Sequence, residues 1–439
     1  MASQKSFESA VNSIRTFLSA RPPYCNGTYP VSPEQLTLFY GSNGSNANRI
    51  NLAKATPQEL GKLEAACQLA TFGVNNENVY DESYRKAGKM DFADFATSFD
   101  VEDSDLLNLV DHGLLEGDDE QRAIKLELYK LNVYGKGSFF RAHKDTPRSE
   151  TMFGSLVIVF PTPHEGGEFI LRDKEHEWEV DLAKSVSESS QQPCVSYAAF
   201  FSDVEHEVRM VTSGYRVTLT YNLYFAPVGI MPCPTVSTLA PYEQTLAEAL
   251  YEIVTNDAVL PDGGYLGIGL RHMYPVEEGT DVTDFRNYLK GPDAALGRVL
   301  SALGLSWNVR VFYRKVDSRE YLHSRIVDLS KWGQMCCDVI HAIMRRSGAE
   351  LVQHVHIYGT RKSFYGCSCL DWSEDSEEIQ ETKYVQLAEV TDLEDNISQV
   401  QLYVMYGNEP TVSYAYVKLC IAVDLPFLGA RSINRLQVQ

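Results

Sequence analysis

The stretch YGKGSFFRAHKD, residues 134–145, decides the interpretation of this chain. Gly135 and Gly137 predict a turn, after which the chain leads into a His-Lys-Asp triplet. Of the ten histidines in the sequence, only His143 has an acidic residue two positions later, which is Asp145. In an extended segment, residues i and i+2 point the same way, about 7 Å apart along the chain. The side chains of His143 and Asp145 can therefore converge on one metal ion.

Two imidazoles and one carboxylate form the ligand set of non-haem iron sites that must bind both a bidentate co-substrate and oxygen. Three protein ligands on one face of an octahedron leave three positions open. An isolated His-x-Asp is more often a surface histidine beside an aspartate. The hypothesis that His143 and Asp145 bind a metal therefore depends on the residues around them.

The residues before the pair resemble the strand and turn that enter the metal site of prolyl-4-hydroxylase-like 2-oxoglutarate oxygenases. In that family a tyrosine stands nine residues before the histidine and a glycine stands six before it. Tyr134 and Gly137 have these spacings from His143. The fold that the resemblance implies is a double-stranded β-helix, or jelly roll, and the metal that it implies is Fe(II).

The resemblance continues downstream of the pair. GGEF at residues 166–169 is similar to the family's Gly-Gly turn, and FSDVEHEV at residues 201–208 is similar to the segment that carries the distal histidine. That histidine is His206 here, 61 residues after Asp145, which leaves room for the intervening strands. The ligand set that the resemblance implies is His143, Asp145 and His206.

The segment GYRVTLT, residues 214–220, is similar to the family strand whose basic residue holds the far carboxylate of 2-oxoglutarate. Period-two alternation places Arg216, Thr218 and Thr220 on one face of that strand, so Arg216 can point into the interior of the jelly roll. A planar guanidinium binds a carboxylate through two hydrogen bonds, and the Thr218 hydroxyl can add another. We expect Arg216 and Thr218 to bind 2-oxoglutarate.

One feature departs from the family pattern. Many relatives carry a tyrosine for 2-oxoglutarate on the strand after the His-x-Asp, but SLVIVF at residues 155–160 contains none. Tyr134 or Thr218 must then share that role. The resemblance covers residues 124–224, and the remainder of the chain resembles uncharacterised fungal proteins that pair this module with a second domain.

The resemblance implies an Fe(II)- and 2-oxoglutarate-dependent dioxygenase. Such an enzyme consumes O2, releases succinate and CO2, and oxidises a substrate C–H bond, with ascorbate as an optional stimulant. A prolyl residue of a protein or peptide is the first substrate class that it suggests. Hydroxylation, desaturation or ring closure of a free amino acid or a secondary metabolite remains open. So does a different class of protein, a binding protein with an inactive jelly roll.

The pattern of periodicity predicts the organisation of the chain. Phe7, Val11, Ile14 and Leu18 recur at helical spacing, and proline-containing helix starts occur at 32–35 and 56–59. The period changes to two from Ile124 onward, and prolines crowd into the segment after the last strand. The predicted parts are a helical N-terminal support region at 1–120, an oxygenase core at 121–226, a linker at 227–241 and a non-catalytic α+β domain at 242–439.

Composition limits the classes of partner. The chain has 439 residues with 44% hydrophobic content, a formal net charge of -20 and a pI of about 5.0. Such acidity disfavours nucleic acid as a substrate, because affinity for a phosphate backbone comes largely from basic side chains. No segment approaches the roughly 18 consecutive apolar residues of a membrane span. Nine cysteines, an odd number, suit reduced thiols. We expect a cytoplasmic protein that binds neither nucleic acid nor membranes.

Other candidate sites are weaker. His354 and His356 have the spacing of a cupin-type metal pair, but no later histidine exists to complete the site. The cysteine pairs at 336–337 and 367–369 lack a second pair for zinc. GGYLGIG at 263–269 predicts a turn into a strand rather than a phosphate loop. In the C-terminal part, four polar residues could contact substrate, although their pattern favours a structural role: Tyr403, Tyr406, Asn408 and Glu409.

Overall fold

The structure is a computed structural model of the chain. It describes residues 2–41, 47–74, 77–115, 123–183, 192–226, 239–314, 319–327, 337–355, 383–393, 407–408 and 414–434. The helices are α1 (Ala2–Ser19), α2 (Pro57–Ala66), α3 (Leu106–Leu114), α4 (Pro241–Thr255), α5 (Pro292–Ala302) and α6 (Cys337–Arg346). Two 3-10 helices span Val282–Asn287 and Leu428–Ala430. Within the part of the chain just given, no helix is long and apolar enough to cross a membrane.

Strands make up most of the regular structure. Those before residue 120 are β1 (Tyr24–Pro30), β2 (Thr37–Tyr40), β3 (Asn48–Asn51), β4 (Gln68–Leu69), β5 (Phe72–Val74), β6 (Glu77–Val79), β7 (Arg85–Lys86), β8 (Gly88–Asp91) and β9 (Phe95–Thr97). The next are β10 (Ile124–Tyr134), β11 (Phe139–His143), β12 (Met152–Val159), β13 (His164–Gly166), β14 (Phe169–Asp173), β15 (His176–Val180), β16 (Cys194–Phe201), β17 (Glu205–Val208), β18 (Val211–Gly214) and β19 (Arg216–Phe225). The last are β20 (Gly264–Val276), β21 (Ser306–Arg314), β22 (Glu320–His323), β23 (Glu350–His354), β24 (Tyr384–Glu389) and β25 (Ala415–Leu425).

The chain divides into two compact units. The first, here called the sandwich unit, comprises residues 22–228 and a late segment, 403–414, of which residues 407, 408 and 414 are described. The second, here called the barrel unit, comprises residues 1–21, 229–402 and 415–439. The predicted linker at 227–241 lies mostly outside the described residues, which resume at residue 239.

The sandwich unit contains two main antiparallel sheets. A seven-stranded sheet has the order β1-β16-β12-β19-β10-β8-β4, and a five-stranded sheet has the order β15-β14-β17-β11-β7. β12 and β16 are buried along their whole length, as their continuous apolar sequences require of strands covered on both faces. One apolar core joins residues of both sheets. The predicted fold class, mainly β with a double-stranded β-helix core, is confirmed.

Residues 1–120, predicted to be helical, contain strands as well as helices. Only α1, α2 and α3 are helical there, and nine strands occupy much of the remainder. At residues 32–35, Ser32 and Gln35 exchange the hydrogen bonds of a capping box, but a strand follows instead of a helix. The LTLFY sequence after them alternates and is rich in β-formers, so local propensity outweighs the cap. At 56–59 the capping box does open a helix, α2.

The barrel unit is α+β in content. Six strands close into a barrel in the order β20-β24-β23-β22-β21-β25. α1 belongs to this unit and not to an N-terminal support of the sandwich, because its buried residues join the barrel unit's core. They are the four that the helical spacing singled out: Phe7, Val11, Ile14 and Leu18. A non-catalytic role for residues 242–439 stays a prediction.

Candidate metal centre

Two neighbouring strands of the five-stranded sheet bring the three predicted ligands together. His143 ends β11 and lies directly opposite His206 of β17 in the antiparallel register. Asp145 follows two residues after His143, so its side chain emerges on the same side. One ligand atom from each residue lies within 4.8 Å of the others, and all three residues are buried. Among the described residues, this is the only group of this kind that could hold a metal ion.

Hydrogen bonds orient both imidazoles for metal binding. The Nδ1 atom of His143 lies 2.8 Å from the carbonyl oxygen of Arg141, and Nδ1 of His206 lies 3.1 Å from that of Val204. A carbonyl oxygen can only accept, so Nδ1 donates in each ring and Nε2 is the ring nitrogen left for a metal. Burial, together with the nearby His206, lowers the pKa of His143 well below its usual value, which keeps that ring neutral. Neutral imidazoles are the form that binds metals.

Aromatic rings hold the histidines in place. Phe140 stacks on His143 with 3.6 Å between ring centroids, and the guanidinium of Arg85 lies 4.1 Å from the Phe140 ring centroid. Phe200 contacts His206 from the other sheet, at 4.5 Å between centroids. These contacts restrict the rotamers of the imidazoles.

Both oxygens of the Asp145 carboxylate accept hydrogen bonds. The Ser155 hydroxyl donates to Oδ2 and the Asn408 side-chain amide donates to Oδ1, each at 2.5 Å. Oδ1 also lies 3.8 Å from Nε2 of His206. These two hydrogen bonds restrict the orientation of the carboxylate beside the two imidazoles.

Arg216 lies in the same recess with unsatisfied donors. It is 1% exposed, and its Nε and Nη2 atoms make no hydrogen bond with any of the described residues. Burial lowers its pKa to about 10, which leaves it charged at neutral pH. Gly167, which has a φ of +74°, leaves room for the Arg216 side chain because it has no Cβ atom. A Cβ atom there would lie 3.0 Å from Cδ of Arg216. A buried cation with free N–H groups is suited to an anionic ligand.

The remaining predicted site residues line this recess. Tyr134 pairs with Arg216 across β10 and β19, and its ring centroid lies 5.6 Å from the guanidinium carbon. Thr218 is buried one step farther along the same face of β19. The structure therefore places every residue that the sequence singled out for metal or 2-oxoglutarate in one recess. The roles of these residues stay predictions.

Several polar residues of the recess have no role predicted from the sequence. Arg85 and Asn132 line the recess and are joined by a hydrogen bond of 3.0 Å. Strand parity placed Thr220 on the face of Arg216, and the same argument could have found Asn132, which shares the inward face of β10 with Tyr134. No local pattern pointed to Arg85, because β7 has only two residues. Of the four C-terminal polar candidates, Asn408 lies in the recess and the other three fall outside the described residues.

The recess fits the groups that the sequence led us to expect. Two imidazoles and one carboxylate, buried together, make a donor set suited to Fe(II) with open positions. The orphaned N–H groups of Arg216 match a carboxylate of 2-oxoglutarate. A cluster suited to a metal ion and a guanidinium suited to an anion therefore line the same recess.

Comparison with known proteins gives a family for this part of the chain. Residues 129–224 match the family model of the 2OG-Fe(II) oxygenase superfamily. No curated protein matches the chain. The chain is similar to the crystal structure of a Pseudomonas putida prolyl-4-hydroxylase, with 17% identity over 50% of this chain and 100% of that one and a TM-score of 0.26. It is also similar to a Trichoplax adhaerens prolyl hydroxylase in complex with a hypoxia inducible factor peptide fragment, with 14% identity over 51% and 91% and a TM-score of 0.29.

Proposed function

We propose, from the premise that residues 129–224 form a 2OG-Fe(II) oxygenase domain, that this chain is a dioxygenase that oxidises a C–H bond of an organic substrate. One observation carries the proposal. The buried cluster of potential metal ligands lines the same recess as Arg216, whose Nε and Nη2 atoms have no partner among the described residues. That pairing suits a co-substrate that chelates a metal at one end and carries a carboxylate at the other.

The residues of the chain would hold and position the reactants. His143, Asp145 and His206 would bind Fe(II) and would not act as acid or base, because their lone pairs are directed at the metal. Arg216 would bind the C5 carboxylate of 2-oxoglutarate, with hydroxyl groups of Thr218 and Tyr134 beside it. When bound, Fe(II) and 2-oxoglutarate supply the oxidant by coupling oxidative decarboxylation, which yields succinate and CO2, to the activation of O2.

The walls of the recess would protect this chemistry from water. Val157, Phe169, Phe200 and Val208 line it with apolar surface and are buried. Exclusion of water strengthens the electrostatic contacts of Arg216 and limits side reactions of the oxidant. The contribution of the protein is thus the orientation of reactants in a dry, preorganised site.

We propose hydroxylation of a prolyl residue in a protein or peptide as the first substrate class, and a cytoplasmic location. The motifs at 134–145 and 201–208, which resemble those of prolyl-4-hydroxylase-like enzymes, support the substrate class. The alternatives are the same chemistry, or desaturation or ring closure, on a free amino acid or secondary metabolite.

Formation of succinate tests the reaction class. Purified protein is incubated with Fe(II), 2-oxoglutarate, O2 and ascorbate, with Asp145→Ala as the inactive control. Mass spectrometry of a peptide panel and a metabolite panel then searches for a gain of one oxygen or a loss of two hydrogens. If the wild type forms no more succinate than Asp145→Ala with every panel, the chain is not an oxygenase and a binding role for the jelly roll replaces this proposal.

A further inference from the structure

Gly407 and Asn408 reach the metal centre from a distant part of the chain, 183 residues or more beyond the end of the matched domain at residue 224. The backbone of Gly407 pairs with that of Gly73: each N–H donates to the other's carbonyl oxygen, at 2.9 and 3.0 Å. Gly407 also forms a parallel bridge with Lys144, the residue between the two predicted ligands His143 and Asp145. Backbone pairing on two sides therefore sets the position of Asn408 within the sandwich unit.

The side chain of Asn408 makes two directed hydrogen bonds. Its Oδ1 accepts from the backbone N–H of Thr146 at 2.9 Å, and its Nδ2 donates to Oδ1 of Asp145 at 2.5 Å. An N–H group can only donate and a carboxylate can only accept, so the two partners define which end of the amide is which. A carboxylate in place of the Asn408 amide could not make both hydrogen bonds, since it has no N–H group to donate to Asp145.

We propose that Asn408 is a positioning residue for the metal centre. It would hold the Asp145 carboxylate from one side while Ser155 holds Oδ2 from the other. With both oxygens restrained, the carboxylate offers its remaining lone pairs to the metal without a reorientation cost. Partners of this kind that orient metal ligands typically change metal affinity by about 10- to 100-fold when they are removed. The inference rests on the proposed function, because it assigns Asn408 to the same metal site.

Residues 129–224 contain the three predicted ligands and Arg216, but they do not contain the donor to Oδ1 of Asp145. That donor comes from a residue 263 positions after Asp145. The metal centre of this protein is therefore completed by the late segment, and its affinity for metal depends on residues outside the matched domain.

Metal titration of full-length variants tests the role of Asn408. Co(II) replaces Fe(II) as the probe under anaerobic conditions, and both its affinity and its visible absorption spectrum are recorded. Asn408→Ala should bind Co(II) about 10- to 100-fold more weakly than the wild type. Asn408→Asp keeps an oxygen for the Thr146 N–H but places a carboxylate against Asp145, so its Co(II) spectrum should differ from that of the wild type.

Asn51→Ala is the matched control. Asn51 lies in the same unit, donates from Nδ2 to the carbonyl oxygen of Pro33 and accepts from Ala53 N–H, yet does not line the recess. It should leave Co(II) affinity within about twofold of the wild type, even if thermal unfolding shows a similar loss of stability in both alanine variants.

The outcomes separate this inference from the proposed function. If the wild type binds Co(II) and both Asn408 variants match its affinity and spectrum, the positioning role is refuted and the proposed function stands. Equal weakening in Asn51→Ala also refutes it, because the effect would then be general destabilisation. If the wild type itself binds no metal, the proposed function fails with it.

Discussion

Removal of the Arg216 guanidinium should weaken 2-oxoglutarate binding steeply while metal binding stays near normal. Arg216 is 1% exposed and its Nε and Nη2 atoms have no partner among the described residues, so they are available to the co-substrate. Truncation would leave the C5 carboxylate of the co-substrate desolvated and unpaired. By analogy with buried charge pairs the loss is about 2 to 5 kcal/mol. That corresponds to roughly 30-fold to several-thousand-fold in affinity.

Titration of 2-oxoglutarate against purified variants, followed by succinate formation, measures this loss. Arg216→Lys should recover only part of it, since one ammonium cannot reproduce a two-pronged contact. Arg209→Ala is the control, because Arg209 belongs to the same unit but its side chain is 44% exposed and pairs with Glu179. An unchanged half-saturation in Arg216→Ala, with Co(II) binding intact, would mean that another residue anchors the co-substrate.

Three further predictions concern the ligands and their partners. His143→Ala, Asp145→Ala or His206→Ala should abolish iron-dependent succinate formation in a protein whose circular dichroism is that of the wild type; full activity in any of them removes that residue from the site. Ser155→Ala should weaken Co(II) binding by on the order of 10-fold, because Oδ2 of Asp145 loses the hydrogen bond from the Ser155 hydroxyl; an unchanged titration contradicts this. Burial lowers the pKa of His143 below its usual 6.5, so the unfolded chain takes up a proton that the folded apoprotein does not, and stability should fall as pH drops below about 6.5. Thermal unfolding between pH 7.5 and 5.5 should show a smaller fall for His143→Gln, and equal slopes would refute this.

The N-terminal region shows where sequence patterns failed. The capping-box residues Ser32 and Gln35 make their predicted hydrogen bonds, yet β2 follows them. A cap stabilises a helix by about 1 kcal/mol, which is less than a well-packed strand gains from burial. Leu36 and Leu38 are fully buried in the sandwich core. Short strands such as β4 and β7, with two residues each, are too brief to show any period.

The metal-centre residues show where sequence patterns succeeded. The change to period two at Ile124 correctly predicted where the run of strands from β10 to β19 begins, and the predicted parity of β19 agrees with the position of Arg216 and Thr218 in one recess. His143 and Asp145 share a side because they are two residues apart in extended chain. Strand alternation and the shared side of His143 and Asp145 involve residues close in sequence, whose relative orientation follows from the extended backbone alone.

The sequence by itself determined the local geometry of the site: which residues alternate on a strand, and which two potential ligands emerge together. Only the tertiary structure decided that Asn408 donates to Asp145, that Arg85 stacks on Phe140, and that Arg216 is buried without a carboxylate partner among the described residues. The physical reason is sequence separation. A hydrogen bond between residues 263 positions apart depends on where two distant backbones cross, and a single amide in a polar segment carries no periodicity that could reveal the crossing.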